Sequence, residues 1–126
     1  MKKKVVKKKK AETNILLIQE EIEDLIKEIL FAKNRMIIRD FDKARQDVSE
    51  FYDRISFYRE ETILGHRKKT EEQTYKVSSK ELDKIHQKSE SFFTNWEKGN
   101  RQSDKKCIAS LDKIINIFNI MLKKFI

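Results

Sequence analysis

Apolar side chains recur at alternating spacings of three and four in four separate stretches of this 126-residue chain. The first line is Ile15-Ile18-Ile22-Leu25-Ile29-Ala32-Met36, and the second is Phe41-Ala44-Val48-Phe51-Ile55-Tyr58. The third is Tyr75-Leu82-Ile85-Phe92-Trp96, and the fourth is Ile108-Leu111-Ile115-Phe118-Leu122-Phe125. This rhythm follows one face of an α-helix and does not suit a strand, whose faces alternate at every second residue. Proline is absent and glycine occurs only at Gly65 and Gly99. Proline breaks helix interiors and populates loops, so its absence favours long uninterrupted helices.

These lines predict an all-α fold, an antiparallel four-helix bundle with helices over about 14–38, 41–64, 71 or 79–97, and 103–126. Residues 1–11 are expected to form a disordered basic tail, and residues 12–126 a single domain. A chain of this length buries roughly two-thirds of its unfolded surface, enough to fold without disulfides or metal.

Local signals refine the boundaries. Thr13 or Asn14 can cap the first helix by accepting a hydrogen bond from a free amide. A second apolar line, Ile26-Leu30-Ile37, widens the buried stripe expected on that helix. The step from Met36 to Phe41 breaks the rhythm. A tight turn near Arg39-Asp40, with Asp40 as cap, gives a bundle. A continuous helix to Leu64 would run about 75 Å, more than a domain of this size wants. Gly65 suits a left-handed helix stop. Thr70-x-x-Gln73 and Ser78-x-x-Glu81 are both capping-box patterns, so the third helix can begin at 71 or 79. The weakly apolar stretch 71–78 is expected to be the least stable. Gly99-Asn100 closes the third helix, and Ser103 is expected to cap the fourth. Ile114, Ile117, Ile120 and Met121 flank the fourth line.

Charge is distributed unevenly. The net charge is +8, and Lys2, Lys3, Lys4, Lys7, Lys8, Lys9 and Lys10 supply most of it. Without those seven, 22 basic residues face 21 acidic ones. Residues 12–38 carry six acids and three bases, whereas 100–126 carry six bases and two acids. The first and last helices are therefore expected to attract and lie side by side. A run of lysines repels itself and should be disordered when free. It suits sequence-blind attachment to nucleic acid, a ribosome or an acidic membrane. It contains no arginine or aromatic residue for reading or stacking bases. A solubilising tail is the plainer role. In a eukaryote the same run would direct nuclear import.

Chemistry-bearing motifs are sparse. His66 and His86 lie twenty apart without metal-ligand spacing around them, so neither a metal nor another cofactor is expected. No phosphate loop, nucleophile elbow or H-E-x-x-H pattern occurs. Cys107 lacks a partner cysteine and is read as a small buried side chain in a reducing, cytoplasmic setting. No stretch is long and apolar enough to span a membrane, and the lysine-rich start is not read as a secretory signal.

Two local resemblances stand out. Arg59 and His66, six residues apart in between, have a spacing similar to the arginine–histidine pair of helical HEPN ribonucleases. The resemblance covers eight positions. It implies RNA cleavage at a dimer cleft where Arg59 and His66 of two protomers meet. Glu60 departs from the small polar residue usual in that family, and Gly65 is expected to end the helix before His66. Trp96-Glu97-Lys98-Gly99 resembles the helix–turn of secreted WXG-type hairpins, with one residue too many between tryptophan and glycine. A core tryptophan before a helix stop explains it more simply.

The sequence thus favours a non-enzymatic interaction protein. It would bind a protein partner or a further copy of itself, with the lysine tail touching nucleic acid. Candidate partner-binding residues are Tyr52 and Phe57, off the second line, and Phe125 and Ile126. The alternatives are a HEPN-like dimeric ribonuclease, and a helical scaffold or small phage or mobile-element inhibitor whose tail only solubilises. The Lys/Ile/Phe bias fits an AT-rich source of that kind.

Overall fold

The corner between the first two apolar lines decides the layout. In a computed structural model, which describes residues 15–65, 67 and 74–123, the chain turns there. Helix α1 spans Gln19–Ile37 and helix α2 spans Phe41–Ile63. Arg39 takes a left-handed backbone, φ 67°, a role that glycine or asparagine usually fills. Hydrogen bonds from Ile38 N to Asn34 O (3.0 Å), Arg39 N to Met36 O (3.1 Å) and Asp40 N to Arg35 O (2.8 Å) hold the corner. Asp40 occupies the cap position, but its carboxylate makes no cap hydrogen bond.

Helix α3, Ser79–Lys98, and helix α4, Arg101–Lys123, follow. Ser78 opens α3 through a reciprocal box: its Oγ accepts from Glu81 N at 3.1 Å and its N donates to Glu81 Oε1 at 3.0 Å. The start at 79 is therefore the one adopted; the Thr70–Gln73 pattern lies outside the described residues. Gly99 ends α3 in the left-handed region at φ 63°. Asn100, and not Ser103, begins α4. Asn100 Oδ1 accepts from Ser103 N at 2.8 Å while Ser103 Oγ accepts from Asn100 N at 2.9 Å. Ser103 thus sits one turn further in and is buried.

Two short strands depart from the expected all-helical chain. Strand β1, Ile15–Ile18, pairs antiparallel with strand β2, Thr74–Val77, Ile15 opposite Val77 and Ile18 opposite Thr74. The first helix accordingly begins at 19, not 14, and the Thr13 and Asn14 caps lie outside the described residues. An unbroken apolar run of four residues satisfies both periods, so spacing alone could not separate strand from helix. The burial does: Ile15 and Leu17 point inward and are fully buried, while Leu16 and Ile18 are half-buried. On its other edge, Leu16 N donates to Thr62 Oγ1 at 3.3 Å, and Leu16 O accepts from Arg67 Nε at 2.8 Å. The outward backbone groups of Leu16 are in this way satisfied by α2 and the segment after it, and Ile18 N donates to Glu21 Oε1 of α1 at 3.0 Å. Arg67 also pairs with Glu61 at 2.8 Å and with Glu21, and lies 4.6 Å from the centre of the Tyr58 ring. One guanidinium therefore joins β1, α1 and α2.

Contacts between neighbouring helices run in opposite sequence order. Arg35 meets Asp47 at 2.7 Å and Glu28 meets Arg54 at 3.5 Å across α1 and α2. Tyr52 stacks on His86 at 4.9 Å, and Trp96 Nε1 donates to Phe41 O at 2.9 Å, across α2 and α3. Helices α1 and α4, the acidic and the basic one, do lie together. The ion pair recorded across them is nevertheless Lys33–Asp112, at 2.8 Å, the reverse of the helices' net signs.

The core follows the first two apolar lines closely. Ile22, Leu25, Ile29, Ala32 and Met36 of α1 are buried, as are Ala44, Val48, Phe51 and Ile55 of α2. The fourth line is rotated. The buried residues of α4 are Ser103, Cys107, Ser110, Leu111, Ile114, Phe118 and Met121, while Ile108, Ile115 and Leu122 are only half-buried. Phe118 reaches Phe51 edge-on, ring centres 6.1 Å apart. Small side chains at Ser103, Cys107 and Ser110 face α3, and Cys107 Sγ lies 3.4 Å from Phe92 O. Close approach on that side turns α4 away from the setting that a count of apolar residues predicts.

The strand pairing has a direct test. Leu17→Ala should lower unfolding free energy by about 2–5 kcal/mol, the usual cost of truncating a buried leucine, and Leu16→Ala by clearly less. Chemical denaturation of both variants measures the difference. Equal losses would place residues 15–18 in something other than this strand.

Candidate functional site

Two apolar lines that the core absorbs only in part lie next to each other. On α1 they are Ile26, Leu30 and Ile37, expected to be buried. Ile26 is half-buried, but Leu30 is 40% exposed and Ile37 57%. On α4 they are Ile108, Ile115 and Leu122. At 100° per residue, Ile26, Leu30 and Ile37 fall on the flank of α1 that also carries Lys33. Ile108, Ile115 and Leu122 fall on the flank of α4 that carries Asp112. The 2.8 Å Lys33–Asp112 pair brings those two flanks side by side. The result is an apolar face along the α1–α4 seam, crossed by one ion pair. That pair is partly solvated at both ends and contributes at most about 1 kcal/mol. Ile38, at the α1–α2 corner, is 71% exposed.

This face is the candidate docking site. A single exposed leucine is ordinary, but Leu30 and Ile37, flanked by the half-buried Ile26, Ile108, Ile115 and Leu122, form an apolar strip that another molecule can cover. The sequence contained the signal in an excess of apolar lines: α1 and α4 each carry more than one core-facing stripe needs. Spacing alone does not show this, because it fits each line equally well to the interior.

The other sequence-derived candidates are scattered. Lys2, Lys3, Lys4, Lys7, Lys8, Lys9 and Lys10 lie outside the described residues, as do Phe125, Ile126 and His66. Tyr52 and Phe57 sit about 140° apart around α2 and share no face. Tyr52 stacks on His86, whereas Phe57 is 55% exposed. Leu64, one heptad beyond Phe57, is exposed too.

The chemistry-bearing groups are mostly engaged in structure. Cys107 is buried, and burial pushes its thiol up to about 11, with Asp104 adding to the effect. That removes the thiolate a nucleophile would need. Among the described residues, no group of His, Cys, Asp and Glu is placed to hold a metal ion. No described helix is long and apolar enough to cross a membrane. A cavity of about 370 Å³ opens where the two helix turns meet, lined by Arg39, Phe41, Asp42, Trp96, Arg101 and Asp104 among others. Its two arginines face two aspartates in charge balance. The Trp96 ring is hydrogen-bonded to Phe41 and covered by Arg45, 5.3 Å from its centre. Arg59, the arginine of the HEPN-like spacing, lies near His86 of α3, and Arg59 Nε and His86 Nε2 are both buried without a hydrogen-bond partner.

Comparison with known proteins finds no family model that matches the chain, and no match among curated proteins or solved structures.

His86 makes stability depend on pH. Burial holds its pKa below the ordinary 6.5, and the Arg59 charge adds to this; Asp83 and Glu90 pull weakly the other way. The unfolded chain therefore binds this proton more readily than the folded one. Stability is intact above about pH 6.5 and is lost as pH falls from there toward the lower folded-state value. Glu28 and Asp47 are raised, first by burial, and act in the opposite sense at lower pH. His86→Phe, which keeps a ring against Tyr52, should remove the loss between about pH 7 and pH 5. Thermal unfolding across that range compares the two proteins. An unchanged slope would mean that another group carries it.

Proposed function

We propose that the chain is a non-enzymatic helical interaction protein. In this reading its helices form an antiparallel bundle that docks to a macromolecular partner through the α1–α4 face. The lysine-rich tail adds sequence-blind attraction to nucleic acid or a ribonucleoprotein, and the protein works in the cytoplasm. The observation that carries the reading is the pair of adjoining apolar lines, Ile26-Leu30-Ile37 and Ile108-Ile115-Leu122, left partly open along one seam. A face of this kind offers a partner helix apolar burial at roughly 25 cal/mol per Å² covered. The composition supports the rest. Seven lysines between residues 2 and 10 give the tail its charge, while the remaining chain is nearly balanced.

The two parts are separable by experiment. Leu30→Glu places a charge in the middle of the face without touching the core, so it should abolish docking while circular dichroism remains helical. Removing residues 2–10 should leave docking intact and abolish retention on DNA at low salt. With the tail present, the logarithm of DNA affinity should fall with the logarithm of salt at a slope no steeper than about −6, the limit for seven released counterions. DNA binding unchanged by the deletion would contradict the role of the tail.

A further inference from the structure

We propose that the α1–α4 face joins two copies of this chain, α1 of one copy lying over α4 of the other. This deepens the docking reading above and rests on it. The apolar lines supply the adhesion, and the charges supply the orientation.

Helix α1 holds five acids and three bases, and α4 holds five bases and two acids. Beside the apolar lines both helices carry mixed charges, and the position of each charge along the seam decides what it meets. Glu23 and Lys33 stand beside the line on α1, with Lys27 and Glu20 further round, and Arg101, Asp104, Lys105, Asp112 and Lys123 stand beside the line on α4. The Lys33–Asp112 pair fixes the level of one helix against the other. Because contacts around the helices run in opposite order, Glu23 stands level with Lys123, Leu30 with Ile115, and Ile37 with Ile108.

A face that meets its own copy must do so about a two-fold axis lying in the interface. Two orientations of that axis are available. With the axis along the helices, each α1 covers the α4 of the other copy at the same level. Leu30 then meets the partner's Ile115, Ile37 meets the partner's Ile108, and Glu23 meets the partner's Lys123. Apolar residues face apolar residues, and acid faces base, twice over. With the axis across the helices, α1 covers α1. Glu23 then falls on the partner's Ile37, and the two basic helices are brought together. Like charges and buried unpaired acids disfavour that arrangement. The charge pattern therefore selects the first.

Sedimentation velocity on the full chain tests this with charge reversals. The wild type should sediment as a dimer. Glu23→Lys alone sets lysine against lysine at both symmetric contacts, and Lys123→Glu alone sets acid against acid. Each should weaken dimerisation by about ten-fold or more at low salt. Mixing the two variants in equal amounts should restore the dimer, because each copy then presents the complement of the other. Leu30→Glu should give a monomer that remains helical. Dimers that persist in both single reversals, or a mixture no tighter than its components, would overturn the arrangement. A monomeric wild type would overturn the dimer. If that monomer binds an apolar dye and Leu30→Glu abolishes the binding, the docking face stands with a different occupant. If it binds no dye, both readings fail.

Discussion

The rotational setting of α4 governs what this protein buries and what it presents. Ser103, Cys107 and Ser110 are small, and they let α4 approach α3 closely. The Cys107 sulfur rests 3.4 Å from the Phe92 carbonyl oxygen, a distance a larger side chain could not keep. Held there, α4 turns Leu111, Ile114, Phe118 and Met121 into the core. Ile108, Ile115 and Leu122 then fall toward α1. The apolar face along the α1–α4 seam is a consequence of that close contact. Interhelical separation depends on the side chains at the contact, so small residues decide the setting even where larger apolar ones are plentiful.

The far end of the helices is fastened differently. Strands β1 and β2 are four residues each, too short to stand alone as a hairpin. They persist because Ile15, Leu17 and Val77 join the core, and because α2 and Arg67 meet the outer edge of β1. Arg67 lies in the connection between α2 and β2, and its guanidinium reaches Glu21, Glu61 and Leu16 O. Planar, multiply bonded arginine suits such a junction better than lysine, which offers a point charge without a fixed fork. The chain's many exposed lysines could not replace it.

Much of the fold was legible in the sequence, and the exceptions share physical causes. The main lines match the buried faces of α1 from Ile22 to Met36 and of α2 from Ala44 to Ile55, where the 3-4 rhythm runs through a whole helix. Gly65 and Gly99 marked helix ends as expected, both at positive φ. The corner at Arg39 carried no glycine because an ordinary residue adopts the left-handed conformation there, held by three backbone hydrogen bonds. Ile15–Ile18 was read as helix because four consecutive apolar residues fit either period, and its pairing partner lies more than fifty residues away. On α4 the predicted line shares Leu111 and Phe118 with the buried face, and Cys107 is buried as expected, but Ile114 and Met121 take the inward places given to Ile115 and Leu122, because the small Ser103, Cys107 and Ser110 set the helix against α3. The candidate face is hidden in the sequence for the same reason: a count of apolar spacings puts Ile108, Ile115 and Leu122 inward, which leaves nothing to flank α1. Arg59 was paired by spacing with His66, whereas folding sets it near His86 on another helix, which linear distance could not reveal.

The setting of α4 can be tested at two adjacent positions. Ile114 is fully buried in the core, and Ile115 lies beside it on the α1–α4 flank. Urea denaturation of Ile114→Gln and Ile115→Gln compares the two lines at the same depth along the helix. The account predicts that Ile114→Gln loses about 2–5 kcal/mol, by cavity and desolvation costs together, and that Ile115→Gln loses much less. The reverse order would put Ile115 in the core, and equal losses would leave α4 with no single buried line. Either result would remove the face on which the functional reading stands.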